Sequence, residues 1–122
     1  MTTEKTESRV LTLDEILHAG DLETLTVPVP EWDGAVVIQS MTKAVQQDLR
    51  RKAMNGKDLD NDRFEMLLFI QSVIEPTMGE EHYEALRQKS ATAIDRVNKA
   101  ILNLNGISPE AQKEADRSFR DE

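Results

Sequence analysis

A chain of 122 residues with no cysteine and a formal net charge of -8 is sized for one domain with a modest core, and it excludes disulfide scaffolds, thiolate nucleophiles and Cys-based zinc sites. The negative balance opposes attraction to phosphate backbones and anionic lipids, so neither nucleic acid nor a membrane is an expected partner. No stretch approaches the ~20 apolar residues that span a bilayer, and MTTEKTESRVL lacks an apolar signal-peptide run, so the expectation is a soluble intracellular protein.

Residues 1–11 offer too little apolar surface to offset the entropy of ordering, and they read as a disordered N-terminus. Thr12 and Glu15 have the T-x-x-E spacing of a capping box, Leu13, Ile16 and Leu17 supply a short apolar stripe, and Gly20 stops it, which predicts a helix over about 13–19. From Leu22 the period falls to two. Leu25, Val27 and Val29 alternate with Thr24, Thr26, Pro28 and Pro30, and the prolines restrict the strand to an edge. Glu31-Trp32-Asp33-Gly34 supplies a hairpin turn, and Ala35 to Met41 is the returning strand. Two strands alone are marginal, so the hairpin must lie on helices or pair with another copy.

Thr42 caps a surface helix over 43–54 with a stripe of Met41, Val45, Leu49 and Ala53, and Asn55-Gly56 ends it with a left-handed cap. Lys43, Arg50, Arg51, Lys52 and Lys57 make this segment basic, offset by Asp48; it is either a solvated face or a docking patch for an acidic partner. A loop over 57–61, in which Asp60 or Asn61 caps the next helix, leads into the most apolar run of the chain, DRFEMLLFIQSVI, 62–74. At 100° per residue, Met66, Leu67, Phe69, Ile70, Val73 and Ile74 share a broad arc, with Glu65 and Ser72 opposite. Phe64 and Leu68 fall outside that arc, one turn apart, and need a second neighbour, whether the hairpin or another chain. Pro76 terminates the helix. A short helix over 78–87, a cleanly amphipathic helix over 90–104 and a proline-initiated polar helix or tail over 109–122 complete the chain. In the helix over 90–104, Ile94, Val97, Ile101 and Leu104 form the buried stripe, and Asn105-Gly106 caps the end.

Chemistry is sparse. His18 and His82 have no partner at zinc-binding spacing. Asp58, Asp60 and Asp62 open like a calcium loop, but Arg63 stands where the tight-turn glycine belongs and Phe69 where the bidentate glutamate belongs. No phosphate-cradling glycine loop or nucleophile elbow occurs, and no catalytic, cofactor-binding or metal-binding residue is assigned. Trp32, the only tryptophan, is either a binding anchor or a cover for the hairpin or central helix. The fold expected from these patterns is α+β and mainly helical, with an N-terminal β-hairpin packed on a bundle of about four to six helices, as a single domain over 12–108.

The succession LTLDEIL, VPVPEWDGAVVIQSMT, a basic helix, a hydrophobic helix and LRQKSATAIDRVNKAILNLNGIS resembles the tail assembly chaperones of long-tailed bacteriophages, over 11–108. The most specific parts are Glu31-Trp32-Asp33-Gly34 leading into a strand, and Lys89-Ser90 followed by Ala93, Ile94, Ile101, Leu102, Leu104, Asn105 and Gly106. A serine is commoner than Asn105 before that glycine in the family pattern; either suits a helix end. The resemblance implies a non-enzymatic protein of the host cytoplasm, absent from the mature virion, with no cofactor. It would bind the tape measure protein, keep it soluble and help recruit the tail tube protein. A longer, frameshifted form of itself and a homo-oligomer are further implied partners. Phe64, Leu68, Trp32, Arg50 and Arg51 are the candidate partner-binding residues. The alternative is a structural tail or neck-associated subunit retained in the virion.

Overall fold

The computed structural model describes residues 9–107; the expectations for 1–8 and for the tail from 108 lie outside the described residues. Helix α1, Leu13–Leu17, starts at the expected capping box: the Glu15 amide donates to Thr12 Oγ1 at 3.2 Å and the Thr12 amide donates to Glu15 Oε1 at 2.9 Å. Strand β1, Thr24–Val29, and strand β2, Gly34–Gln39, form an antiparallel hairpin in register from Thr24 opposite Gln39 to Val29 opposite Gly34. The connection is longer than a two-residue Asp-Gly turn. Pro30–Trp32 make one 3₁₀ turn, and Asp33 takes the left-handed conformation at φ 55° that lets the chain reverse, a role Asp tolerates better than most residues.

Helix α2, Lys43–Lys52, is capped by Thr42, whose Oγ1 accepts from the Val45 amide. It ends sooner than expected because Gly56, at φ 70°, serves a small hairpin instead of a helix cap. Strand β3, Met54–Asn55, pairs with strand β4, Asp58–Leu59, around that glycine. Asp60 then caps α3, Asn61–Ser72, accepting from the Arg63 amide at 3.1 Å.

The largest departure from the periodicity lies at the end of α3. Val73–Glu75, read as the last turn of the helix, form strand β5 and pair antiparallel with β2. The sheet order is β1-β2-β5, with the proline-bearing β1 on the edge and β2 in the middle. The hairpin thus obtains its third strand from its own chain, not from another copy. Leaving the helix at Ser72 exchanges helical hydrogen bonds for ladder bonds, and Pro76 removes the donor that a further turn would need.

After a 3₁₀ turn at Glu80–His82 come α4, Tyr83–Arg87, and α5, Ala91–Leu104, capped by Ser90. Helix α5 lies between the sheet and α3, touching β1, β2, the 3₁₀ turn after β1 and α3. Its Ala93, Ile94, Val97 and Ile101 meet Val27, Val29, Val36 and Ile38 of the sheet and Leu67, Leu68 and Phe69 of α3 in one core. Each large aliphatic side chain so buried contributes about 1.5–3 kcal/mol of transfer free energy. The end of α5 is fixed by Asn105, whose Oδ1 accepts from the Met41 amide at 2.8 Å while its Nδ2 donates to the Ile101 carbonyl at 2.8 Å. The fold is α+β and mainly helical.

Candidate interaction surface

The second half of α3 is buried, because sheet, α2, α4 and α5 pack against it, whereas Asn61, Asp62, Arg63 and Glu65 of its first half are exposed. Leu67, Leu68, Phe69 and Ile70 are buried in succession, and so is Ser72, which the helical wheel places on the polar side. Leu68, at 1% exposed, belongs to the core; it is not free to meet a partner by itself. The Phe64–Leu68 stripe faces α5 across a groove, and Leu68 also belongs to the core that the hairpin residues Val27, Val29, Val36 and Ile38 share.

Where α3 and α5 diverge they leave an open groove of about 460 Å³, lined by Asn61, Phe64, Glu65, Leu68, Asp95, Asn98, Lys99 and Leu102. Phe64 and Leu102 are half-buried, and with Leu68 they make its floor apolar. Asn98 sits in the middle of the apolar stripe of α5, one turn from both Ile94 and Ile101, and is buried. Its Nδ2 donates to the Glu65 carbonyl at 3.0 Å, tying the two helices together, whereas its Oδ1 has no partner among the described residues. An unsatisfied buried acceptor costs about 1–3 kcal/mol, a cost carried inside the α3–α5 contact because the oxygen is shielded from solvent. The rim is mainly acidic: burial, then the nearby charges of Asp95 and Asp62, push the Glu65 carboxyl above its ordinary range. Asn98 escaped the sequence reading, although a polar residue centred in an apolar stripe was the available signal, and Leu102 was read in its helix but not as a binding residue.

The other candidate residues lie elsewhere. Trp32, 36% exposed, rests edge-on against Phe69 with ring centroids 6.2 Å apart, so it covers the end of α3. Beside it, Glu31 accepts both Nε and one terminal nitrogen of Arg96 at 3.2 and 2.8 Å, clamping the hairpin turn to α5. Arg50 and Arg51 are on α2, which contributes nothing to the groove walls. Much of the basic charge of α2 is matched locally. Asp48 pairs with Arg51 and Lys52, and Lys52 reaches Glu80 at 2.8 Å, which raises the lysine pKa further. Arg50 forms no ion pair among the described residues. The structure therefore joins Phe64 and Leu68 in one surface and leaves Trp32 and the arginines in separate places.

Among the described residues, no group of three His, Asp or Glu side chains is placed to hold a metal ion, and no helix is long and apolar enough to cross a membrane.

No protein-family model matches the chain, and no curated protein matches it. Among solved structures, the crystal structure of the protein yqbn, a structural genomics target, is similar, with a TM-score of 0.60 at 16% sequence identity. The match covers 80% of this chain and 98% of that one, and at this identity the likeness is one of fold.

Proposed function

We propose that this protein is a tail assembly chaperone of a long-tailed bacteriophage. It binds the tape measure protein, keeps it soluble, and helps recruit tail tube subunits in the host cytoplasm before the tail is finished. It acts by reversible binding, without catalysis and without a cofactor. The observation that carries this reading is the ordered resemblance over 11–108, from the capped LTLDEIL segment through the EWDG hairpin to the helix ending in Asn105-Gly106.

The groove supports it physically. A tape measure protein is long and largely helical, and an open channel that presents the half-buried Phe64 and Leu102 accepts the apolar side of a client helix. The net charge of -8 keeps a coated complex soluble. Co-expression with the neighbouring tape measure gene is the direct test. The tape measure protein should move from the pellet to the soluble fraction and co-purify with this chain; equal solubility with and without it would end the proposal. Mass spectrometry of purified virions should find the chain missing, since a subunit retained in many copies would be structural.

A further inference from the structure

We infer that the client segment taken by the α3–α5 groove is an amphipathic helix whose apolar stripe is flanked by lysine and arginine, which meet the carboxylates Asp62, Glu65 and Asp95. Only the client's name, the tape measure protein, rests on the chaperone reading; its chemistry is read from the rim.

The groove is framed by residues 61–68 of α3 and 95–102 of α5, eight on each wall, or about 12 Å at 1.5 Å of rise per residue. That length admits two turns of a client helix lying with one side down. Phe64 and Leu102, both half-buried, offer apolar contact to a pair of aliphatic side chains one turn apart. Such pairs are common in helices, so the floor selects weakly and discrimination falls to the rim.

Glu65 and Asp95 are exposed and line both the groove and the adjoining hollow that Asp62 shares, so three carboxylates stand together beside the channel. None of the three has an ion-pair partner among the described residues. The neighbouring arginines are engaged elsewhere: Arg63 by the Lys52 carbonyl and the Tyr83 ring, Arg87 by Glu84, and Arg96 by Glu31. Lys99 lines the groove and Lys89 the hollow, neither within ion-pair distance of these carboxylates. Burial, and then the charges of Asp95 and Asp62, push the Glu65 carboxyl above its ordinary range, and the second cause is a negative field left unrelieved. A cationic side chain placed here relieves it, whereas an acidic one adds to it. The N-terminal arm, residues 9–22, makes the contrast. Its helix α1 leaves Leu13, Ile16 and Leu17 exposed outside the core of the body, but its polar side carries Asp14 and Glu15, the wrong sign for this rim.

The probes are two synthetic helical peptides with the same leucine stripe, one flanked by lysine and arginine and the other by glutamate, titrated into the full chain. The basic peptide should bind at least about tenfold more tightly at low salt, and the margin should shrink as salt screens it. Glu65→Lys with Asp95→Lys, both at exposed positions, should reverse the preference, a gain for the acidic peptide that misfolding cannot mimic. Asp14→Lys with Asp21→Lys makes the same change in net charge on the arm and should leave the preference standing. Equal affinity for the two peptides, a preference that survives the reversed rim, or one lost equally through the arm variant overturns the inference. Overlapping fragments of the tape measure protein separate it from the chaperone reading. Those that bind should carry basic flanks; binding through neutral or acidic flanks sinks the inference and keeps the chaperone, whereas basic-peptide binding with no fragment bound does the opposite.

Discussion

Helices α1 and α5 begin alike and end in opposite situations. Each opens on a hydroxyl N-cap that accepts from the amide three residues on, Thr12 from Glu15 and Ser90 from Ala93. Each then presents aliphatic residues at three- and four-residue spacing. Helix α5 buries Ala93, Ile94, Val97 and Ile101 between sheet and α3, whereas α1 buries nothing. Caps and stripes therefore specify that a helix forms and which side seeks cover, but not what covers it. Length and attachment decide that: α5 spans 14 residues and is tied at its end through Asn105 to Met41, while α1 spans 5 and hangs on a short connection.

The sharpest way to break the comparison is to truncate one residue on each stripe. Ile101→Ala should lower the unfolding free energy by about 2–5 kcal/mol, since the residue is fully buried and a cavity remains. Leu13→Ala should change it by no more than about 0.5 kcal/mol when measured by urea unfolding at concentrations where the chain is monomeric. Similar costs at the two positions would show that the arm folds as part of the body.

The next effect concerns the tie that α1 lacks. Asn105→Ala removes both bonds to Met41 and Ile101 and leaves a part-buried amide unsatisfied, which should cost about 1–3 kcal/mol. Asn105→Ser keeps a small polar cap but cannot span both partners, and should fall between wild type and alanine in the same urea series. If the alanine variant melts like wild type, the tie is ornamental and length alone separates the two helices.

Much of this was legible in the sequence where the cause is local. The caps at Thr12 and Thr42 follow from side chains that satisfy nearby amides, as does Asp60, one of two residues offered for its helix, whereas Ser90, read as the first helical residue, is the cap of α5; Pro28 placed β1 at an edge because it lacks a donor. What escaped is tertiary. Val73 and Ile74 continue a helical wheel perfectly well; only the presence of β2 alongside makes them a strand. Gly56 serves a turn between β3 and β4 and not a helix cap because Asp58 and Leu59 return along Met54 and Asn55. Phe64 stood out as an apolar residue off the main arc and does line the groove. Leu68 stood out for the same reason and is core, because α5 crosses there. A wheel records direction, and crossing angles are absent from it.

A smaller effect, of opposite sign, tests the crowding of α3. Ser72 Oγ is buried with no hydrogen-bond partner among the described residues. Ser72→Ala deletes an unsatisfied hydroxyl at the cost of almost no volume, and should raise stability by about 0.5–1 kcal/mol. A loss in thermal unfolding experiments would mean that the hydroxyl is satisfied in solution, most simply by water.

The last contrast sets two carboxylates of similar electrostatics against each other. Glu31 is held below its ordinary pKa of 4.5 chiefly by the Arg96 hydrogen bond, and Glu15 below the same value chiefly by the Thr12 amide and then by Arg9. A carboxyl depressed in the native state adds stability that is fully present above the unfolded value and is lost as pH falls through the native one. For Glu31 that loss loosens the clamp between the hairpin turn and α5, so the difference in melting temperature between wild type and Glu31→Gln should be constant near neutrality and shrink below about pH 4.5. For Glu15 the same protonation frays only α1. Melting of the body in the monomer should then be the same in wild type and Glu15→Gln at every pH, while the protection of amides 13–17 relative to their intrinsic exchange rate falls in acid. Equal pH profiles for the two glutamine variants would mean that the arm and the body melt as one unit.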